Sequence, residues 1–162
     1  MPVSIIEEHV FLVPPAQFFE FITNPQNMTT FVGFGPVPAI NKVGPLTMKD
    51  HGTSARYHVE NSDGSSHEEE VTVSDPPHRF CLRIGSFSAP YKYFINHIEE
   101  KWDCEQNEYG TKARRTFTFF PSSVILTPLI YVAAHLFWHR AVKRNHEMIN
   151  DRLLLAVTDE RV

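Results

Sequence analysis

The hydrophobic positions of this chain keep two different rhythms, and the places where one gives way to the other set out its architecture. Residues 3–13 are rich in β-branched and aromatic side chains and run into Pro14-Pro15, which predicts a first strand stopped by prolines. Pro15 suits the first turn of a helix. Phe18, Phe19, Phe21 and Ile22 give that helix an apolar face before Asn24-Pro25 breaks it. A second short helical turn is expected over 26–31, ahead of the loop Gly33-Phe34-Gly35-Pro36.

Over 37–120 the period is two. Strands are predicted at 37–43, 46–50, 53–60, 67–74, 78–86, 93–105 and 111–120. They are separated by Gly44-Pro45, His51-Gly52, Asp63-Gly64, Pro76-Pro77, Ala89-Pro90 and a turn near Asn107–Gly110. Consecutive strands on short loops make an antiparallel meander. The last element is one long helix from Ser122 to Val157, with Thr127-Pro128 as its N-cap and first-turn pair.

Strand alternation assigns faces. In 94–104 the even positions Phe94, Ile98, Trp102 and Cys104 are apolar, so this face is expected inside, carrying Asn96 and Glu100 with it. In 111–120 the odd set Ala113, Phe117 and Phe119 is apolar and includes Arg115. A turn centred near 107–108 places Glu100 opposite Arg115, Trp102 opposite Ala113, and Ile98 opposite Phe117. The inward pair Glu100–Arg115 has two readings. It is a structural ion pair, tolerated inside because each charge has a partner, or a ligand anchor with Arg115 for an acidic or carbonyl oxygen and Glu100 as orienter or proton acceptor. The same parity turns Tyr57, Val59, Glu69, Val71 and Val73 inward.

Composition narrows the class. A length of 162 residues, 42% hydrophobic, fits one domain over 1–162, and thirteen Phe against seven Gly imply a large apolar volume, filled or partly open. The net charge of −4 offers nothing to a phosphate backbone, so no nucleic acid is expected. The N-terminus has no basic region or unbroken apolar run, so it does not read as a secretory signal. Cys81 and Cys104 fall on opposite faces, which predicts no disulfide and suits a reducing cytoplasm. The apolar stretch 124–138 is interrupted by Pro128 and shorter than the ~18–20 residues of a spanning helix. His135 and His139 are i, i+4 neighbours, but no Glu stands between them to complete a zinc motif, and no metal or cofactor is expected. The helix's apolar stripe (Ala134, Phe137, Trp138, Ala141, Met148, Ile149, Leu153) leaves His139 and His146 pointing outward, with His135 at its edge.

Four stretches in order resemble a known family. Val13–Met28 is similar to an opening strand, proline turn and helix pair; Gly52-Thr53-Ser54-Ala55-Arg56 to a strand start; Glu70–Phe80 to a hairpin through Asp75-Pro76-Pro77; and Gly110-Thr111-Lys112-Ala113 to the opening of the last strand. On these residues the chain resembles the START-like (SRPBCC) superfamily, in its polyketide cyclase/dehydrase-type members. The resemblance implies an α+β helix-grip fold of the Bet v 1/START-like kind: a curved antiparallel sheet, two short helices and one long C-terminal helix. It also implies a cavity between sheet and helix for a lipid, polyketide or other aromatic compound.

The expected function is therefore binding of a hydrophobic small molecule. The alternatives are a cyclase, aromatase or dehydratase-like enzyme, and a partner-binding module with a closed core. Candidate ligand contacts are Tyr57, Glu69, Asn96, Ile98, Glu100, Trp102, Arg115, Phe117, Phe119, His135 and Trp138, of which Glu100, Glu69, His135 and Tyr57 could act as acid or base. The start of the last helix departs from an amphipathic pattern: Leu129, Val132, Ala133 and Leu136 lie away from the stripe, just after Val124, Ile125 and Leu126. Such a face calls for cover. A two-fold partner, peripheral docking on a membrane, or the segment 85–93 with Phe87, Tyr91 and Tyr93 would supply it.

Overall fold

The computed structural model describes residues 1–47 and 55–159. The strands are β1 (Val3–Phe11), β2 (Ile40–Thr47), β3 (Arg56–Asn61), β4 (Ser66–Asp75), β5 (Arg79–Gly85), β6 (Ile95–Asn107) and β7 (Gly110–Pro121). They form one antiparallel sheet in the order β1-β7-β6-β5-β4-β3-β2. Between β1 and β2 come α1 (Pro15–Thr23) and a 3-10 helix, Pro25–Thr30, capped by the Asn24 side chain. The sheet curves round the long C-terminal helix, so this is the helix-grip architecture.

The segments expected at 37–43 and 46–50 belong to one strand. Gly44-Pro45 reads as a turn but pairs in register with His58 and Tyr57. Proline is tolerated there because β2 is an edge strand and one side of its ladder needs no donor. The rest of the 46–50 prediction, the start of 53–60 and the Gly52-Thr53-Ser54 motif lie outside the described residues.

Face parity holds through the centre of the sheet and breaks at two bulges. Ile98, Glu100, Trp102 and Cys104 are buried, as are Ala113, Arg115, Phe117 and Phe119. A register irregularity between Ile95 and His97 turns Ile95 inward and Asn96 out to solvent, where its amide donates to the Pro121 carbonyl. Another between Val71 and Val73 leaves Val73 exposed instead of inward. An extra residue in one strand reverses the alternation on one side of it, which no count of residue types reveals.

The last helix is continuous but not uniform. A 3-10 turn, Val124–Leu126, is capped by Ser123 and leads into α2 (Thr127–Ala133), a π-helical stretch Ala134–Trp138, and α3 (His139–Asp159). The cap is thus Ser123 and not Thr127. The helical run Val124–Val157 is long and apolar enough by length and composition to cross a membrane. Here it lies on the sheet and buries Ile130, Ala134, Ala141, Val142, Ile149 and Leu153. Its opening face stays open: Val124, Ile125, Leu129, Val132 and Leu136 are 48–87% exposed. The segment 85–93 does not cover them. Its Phe87 packs against His67, and its Tyr91 hydroxyl bonds to Asp63 and the Pro36 carbonyl.

His146 corrects the outward assignment. At spacings of four from Val142 and three from Ile149 it belongs to the buried face, and it is 2% exposed, against Trp102, Phe11 and His9. Burial pushes its pKa down to about 2, with the Arg115 charge and His9 adding to the effect. The unfolded imidazole titrates near ~6.5, so below that pH only the unfolded state takes up this proton. The folded state should lose about 2 kcal/mol from this group between about pH 6.5 and about pH 5. Urea unfolding of wild type and His146→Met at both ends of that range checks it. The variant's stability should fall less, and equal slopes would place the acid sensitivity elsewhere.

Candidate functional site

Two apolar clusters fill the space between sheet and helix. One gathers Phe11, Phe18, Phe19, Phe80, Trp102 and Leu153; the other gathers Phe31, Ile98, Phe117, Phe119, Ile130 and Val142. Between them lies a pocket of about 120 Å3, against ~10–15 Å3 for one water on the same measure. Its walls come from the 3-10 helix, the inner faces of β3 to β7, and α3. They are mostly aromatic and aliphatic, with polar side chains from the sheet, the 3-10 helix and α3.

One group of these polar side chains is centred on Arg115. Its Nε and a terminal nitrogen each reach Glu100 Oε1 at 2.7 Å, and its other terminal nitrogen donates to Asn145 Oδ1 at 2.7 Å. Trp102 Nε1 donates to the same Glu100 oxygen at 2.6 Å. The guanidinium carbon lies 4.3 Å from the Trp102 ring centre and 4.6 Å from that of Phe117. Asn145 in turn donates to Thr30 Oγ1 at 2.8 Å. Both members of the ion pair are buried, which costs several kcal/mol per ion unless partners surround them, as they do here. Burial pushes the Glu100 carboxyl up; Arg115 opposes this and Glu69 adds to it.

The expected register was wrong by two residues. Asn107 pairs with Gly110 across a two-residue turn, so Glu100 lies opposite Phe117, and Trp102 opposite Arg115. A shift of two keeps every side chain on its face. Glu100 and Arg115 therefore meet as diagonal neighbours, within reach of long side chains.

A second polar line enters from β3 and β4. Asp63 accepts from the Tyr91 hydroxyl at 2.7 Å and from the Ser65 hydroxyl at 2.6 Å. Burial raises the Asp63 pKa, but these hydrogen bonds outweigh it and hold the carboxyl below its usual value. Burial and the Asp63 bond push the Tyr91 phenol up to about 12. Since the Ser65 proton is spent on Asp63, Ser65 Oγ accepts from Asn61 Nδ2 at 3.0 Å. The same amide donates to His67 Nδ1 at 3.2 Å. The ring then carries its hydrogen on Nε2, which is 3.1 Å from Glu69 Oε1. The Asn61 amide nitrogen can only donate, which makes Ser65 Oγ and His67 Nδ1 the acceptors of its two bonds. His67 and Glu69 are both buried and both line the pocket.

The structure thus gathers Glu69, Ile98, Glu100, Trp102, Arg115, Phe117 and Trp138 around one pocket. Four other candidates stand apart. Tyr57 is half-buried against the first apolar cluster and is not a wall residue. Phe119 is buried behind the wall, edge-on to Trp138 with centroids 5.2 Å apart. Asn96 faces out across its bulge. His135 is exposed on the helix, where it stacks on Tyr131 and contacts the Tyr131 carbonyl. His139 faces Glu7 of β1, not His135. Among the described residues, no group of three or more His, Cys, Asp or Glu is placed to hold a metal. Cys81 and Cys104 are free.

Sequence reasoning missed Asn61, His67, Asn145 and Thr30. The signal for the first three was present: Asn61 shares parity with Val59, His67 shares it with Glu69 and Val71, and Asn145 follows Ala141 at helical spacing.

The family described as polyketide cyclase / dehydrase and lipid transport matches residues 3–154. The chain belongs to this family. Solved structures share the fold across nearly their whole length. Ara h 8.0201 is 16% identical with a TM-score of 0.71, covering 95% of this chain and 99% of that one. TTHA0849 from Thermus thermophilus is 13% identical with a TM-score of 0.69, covering 96% and 99%. A point mutant of Thalictrum flavum norcoclaurine synthase, solved with a transition-state analogue, is 10% identical with a TM-score of 0.69, covering 96% of each chain. At these identities the likeness is one of fold. No curated protein sequence matches the chain significantly.

Within this family member, Arg115 and Arg114 offer a built-in control. Arg114 is exposed and pairs with Glu8, whereas Arg115 is buried. Arg115→Ala should cost about 3–5 kcal/mol by stranding Glu100 in the core, and Arg114→Ala no more than about 0.5 kcal/mol. Chemical unfolding of both variants checks this, and equal losses would mean the buried pair has no special role.

Proposed function

We infer that this protein binds an apolar small molecule in the pocket between the sheet and the last helix. The observation that carries this reading is the pocket itself: a mostly apolar hollow among close-packed aromatic side chains, with a minority of polar groups supplied by the sheet, the 3-10 helix and α3. Ligand sites combine these features, apolar walls for affinity and a few fixed polar groups for orientation. Membership of a family described by cyclases, dehydrases and lipid transport supports it. The hollow argues against a closed core serving only a protein partner.

A second reading has one observation in its favour. The line from Asp63 to Glu69 fixes the tautomer of His67 and orients a buried carboxylate into the pocket, an arrangement suited to taking a proton from a bound molecule. The fold shared with norcoclaurine synthase fits it. Catalysis would add to binding at the same site.

Binding is tested with phenylnaphthylamine, an uncharged aromatic probe excited by transfer from Trp102 and Trp138. The expected result is saturable one-to-one binding that is lost when Ile84→Trp fills the pocket. Circular dichroism confirms that the variant is folded. Non-saturable binding, or equal binding to a folded Ile84→Trp, would overturn the reading.

A further inference from the structure

The charges around the pocket do not balance, and the imbalance has a sign. Among the described residues, the titratable wall groups are His67, Glu69, Tyr91, Glu100 and Arg115. Arg115 is a permanent cation. His67 accepts at Nδ1 and so carries no charge, and Tyr91 donates its proton to Asp63 and stays neutral. Two carboxyls therefore face one cation. The groups packed behind the wall do not correct this. His146 on α3 is held neutral by burial beside Arg115, and Asp63, at the far end of the His67 line, adds negative charge.

Arg115 is already engaged. Each of its nitrogens donates once, to Glu100 or Asn145, so three of its five N–H groups are used, and its faces meet Trp102 and Phe117. An incoming carboxylate or phosphate would have to share that guanidinium with Glu100. It would also bring a third negative charge next to Glu69 and Glu100. The remaining wall is rich in aromatic rings, including Phe31, Phe80, Phe87 and Trp138. Ring faces attract cations and do nothing for anions.

We propose that the pocket selects apolar amines: molecules with a hydrocarbon or aromatic body whose protonated amino group is held by Glu69 and Glu100. The proposal rests on the ligand-binding reading above and adds the chemical class. The ammonium supplies the missing positive charge, donates hydrogen bonds to carboxylates that the protein leaves in excess, and takes the place of the proton that burial otherwise drives onto Glu100. Acids of the same body are excluded by the same arithmetic. An alcohol meets the hydrogen-bonding demand but not the charge.

The test uses three probes with one body and three heads: phenylbutylamine, phenylbutanol and phenylbutyrate. Binding is read from Trp102 and Trp138 fluorescence at physiological salt, where attraction to the protein's net negative surface is screened. The amine should bind at least tenfold more tightly than the alcohol, with the acid weakest. In Glu69→Gln, checked for folding by thermal unfolding, the advantage of amine over alcohol should shrink to within about threefold, since one of the two carboxylates is gone. An acid that binds as well as the amine, or an alcohol that equals it, overturns the amine proposal and leaves the pocket a general apolar site. Failure of all three probes overturns the ligand-binding reading beneath it. Should Glu69→Gln not fold, the wild-type ranking alone decides.

Discussion

Taking a guanidinium out of water sets the terms for the rest of this fold. Arg115 comes from the centre of β7, and its partners come from three other places: Glu100 and Trp102 on β6, Asn145 on α3, and through Asn145 the Thr30 hydroxyl of the 3-10 helix. Burying such a charge is tolerable only when a partner charge and hydrogen bonds surround it. Through these bonds Arg115 ties the sheet, the long helix and the short helix to one another. Apolar packing alone would accept small slides of the helix along the sheet. The hydrogen-bonded cation does not, and it lies where the two apolar clusters meet.

The same constraint explains why a hollow survives in a chain with thirteen phenylalanines. Collapse of the walls would press aromatic rings onto Glu69 and Glu100 and strip them of whatever solvates them. Glu69, Glu100 and Arg115 sit on β4, β6 and β7, each of which has a partner strand on both sides. Substitutions on this wall will change stability and binding together. Substitutions among the apolar wall residues on the short helices will separate the two more cleanly.

Much of this was legible in the sequence, and the parts that were not share a cause. The change from period two to a helical period gave the order of elements, and alternation in β6 and β7 put Glu100 and Arg115 on one face. The pairing partner was misplaced because register depends on how many residues the turn consumes, and a two-residue turn at Glu108-Tyr109 shifts it by two. Asn96 and Val73 were misassigned because bulges are set by the pairing of neighbouring strands, which residue types do not record. His146 was misassigned for a different reason. Its polarity was taken as a sign of exposure, although it sat at the correct spacing for the buried face, as did His67 and Asn145, which were not considered. A polar residue in phase with an apolar stripe points to a buried network, and on this chain that rule would have located most of the site.

The polar wall is not isolated from the surface. Tyr91 lines the pocket, is half-buried, and its hydroxyl reaches both the Pro36 carbonyl and Asp63. Asp63 is also where the line of hydrogen bonds to Glu69 begins. Moving Tyr91 away would remove one of the donors that hold Asp63 ionised, leaving Ser65 as its side-chain donor. The Asn61 amide nitrogen can only donate, so the bonds to Ser65 Oγ and His67 Nδ1 keep their directions wherever the Ser65 proton points. The segment around Tyr91 and the buried carboxylate Glu69 are joined by five hydrogen bonds of 2.6–3.2 Å.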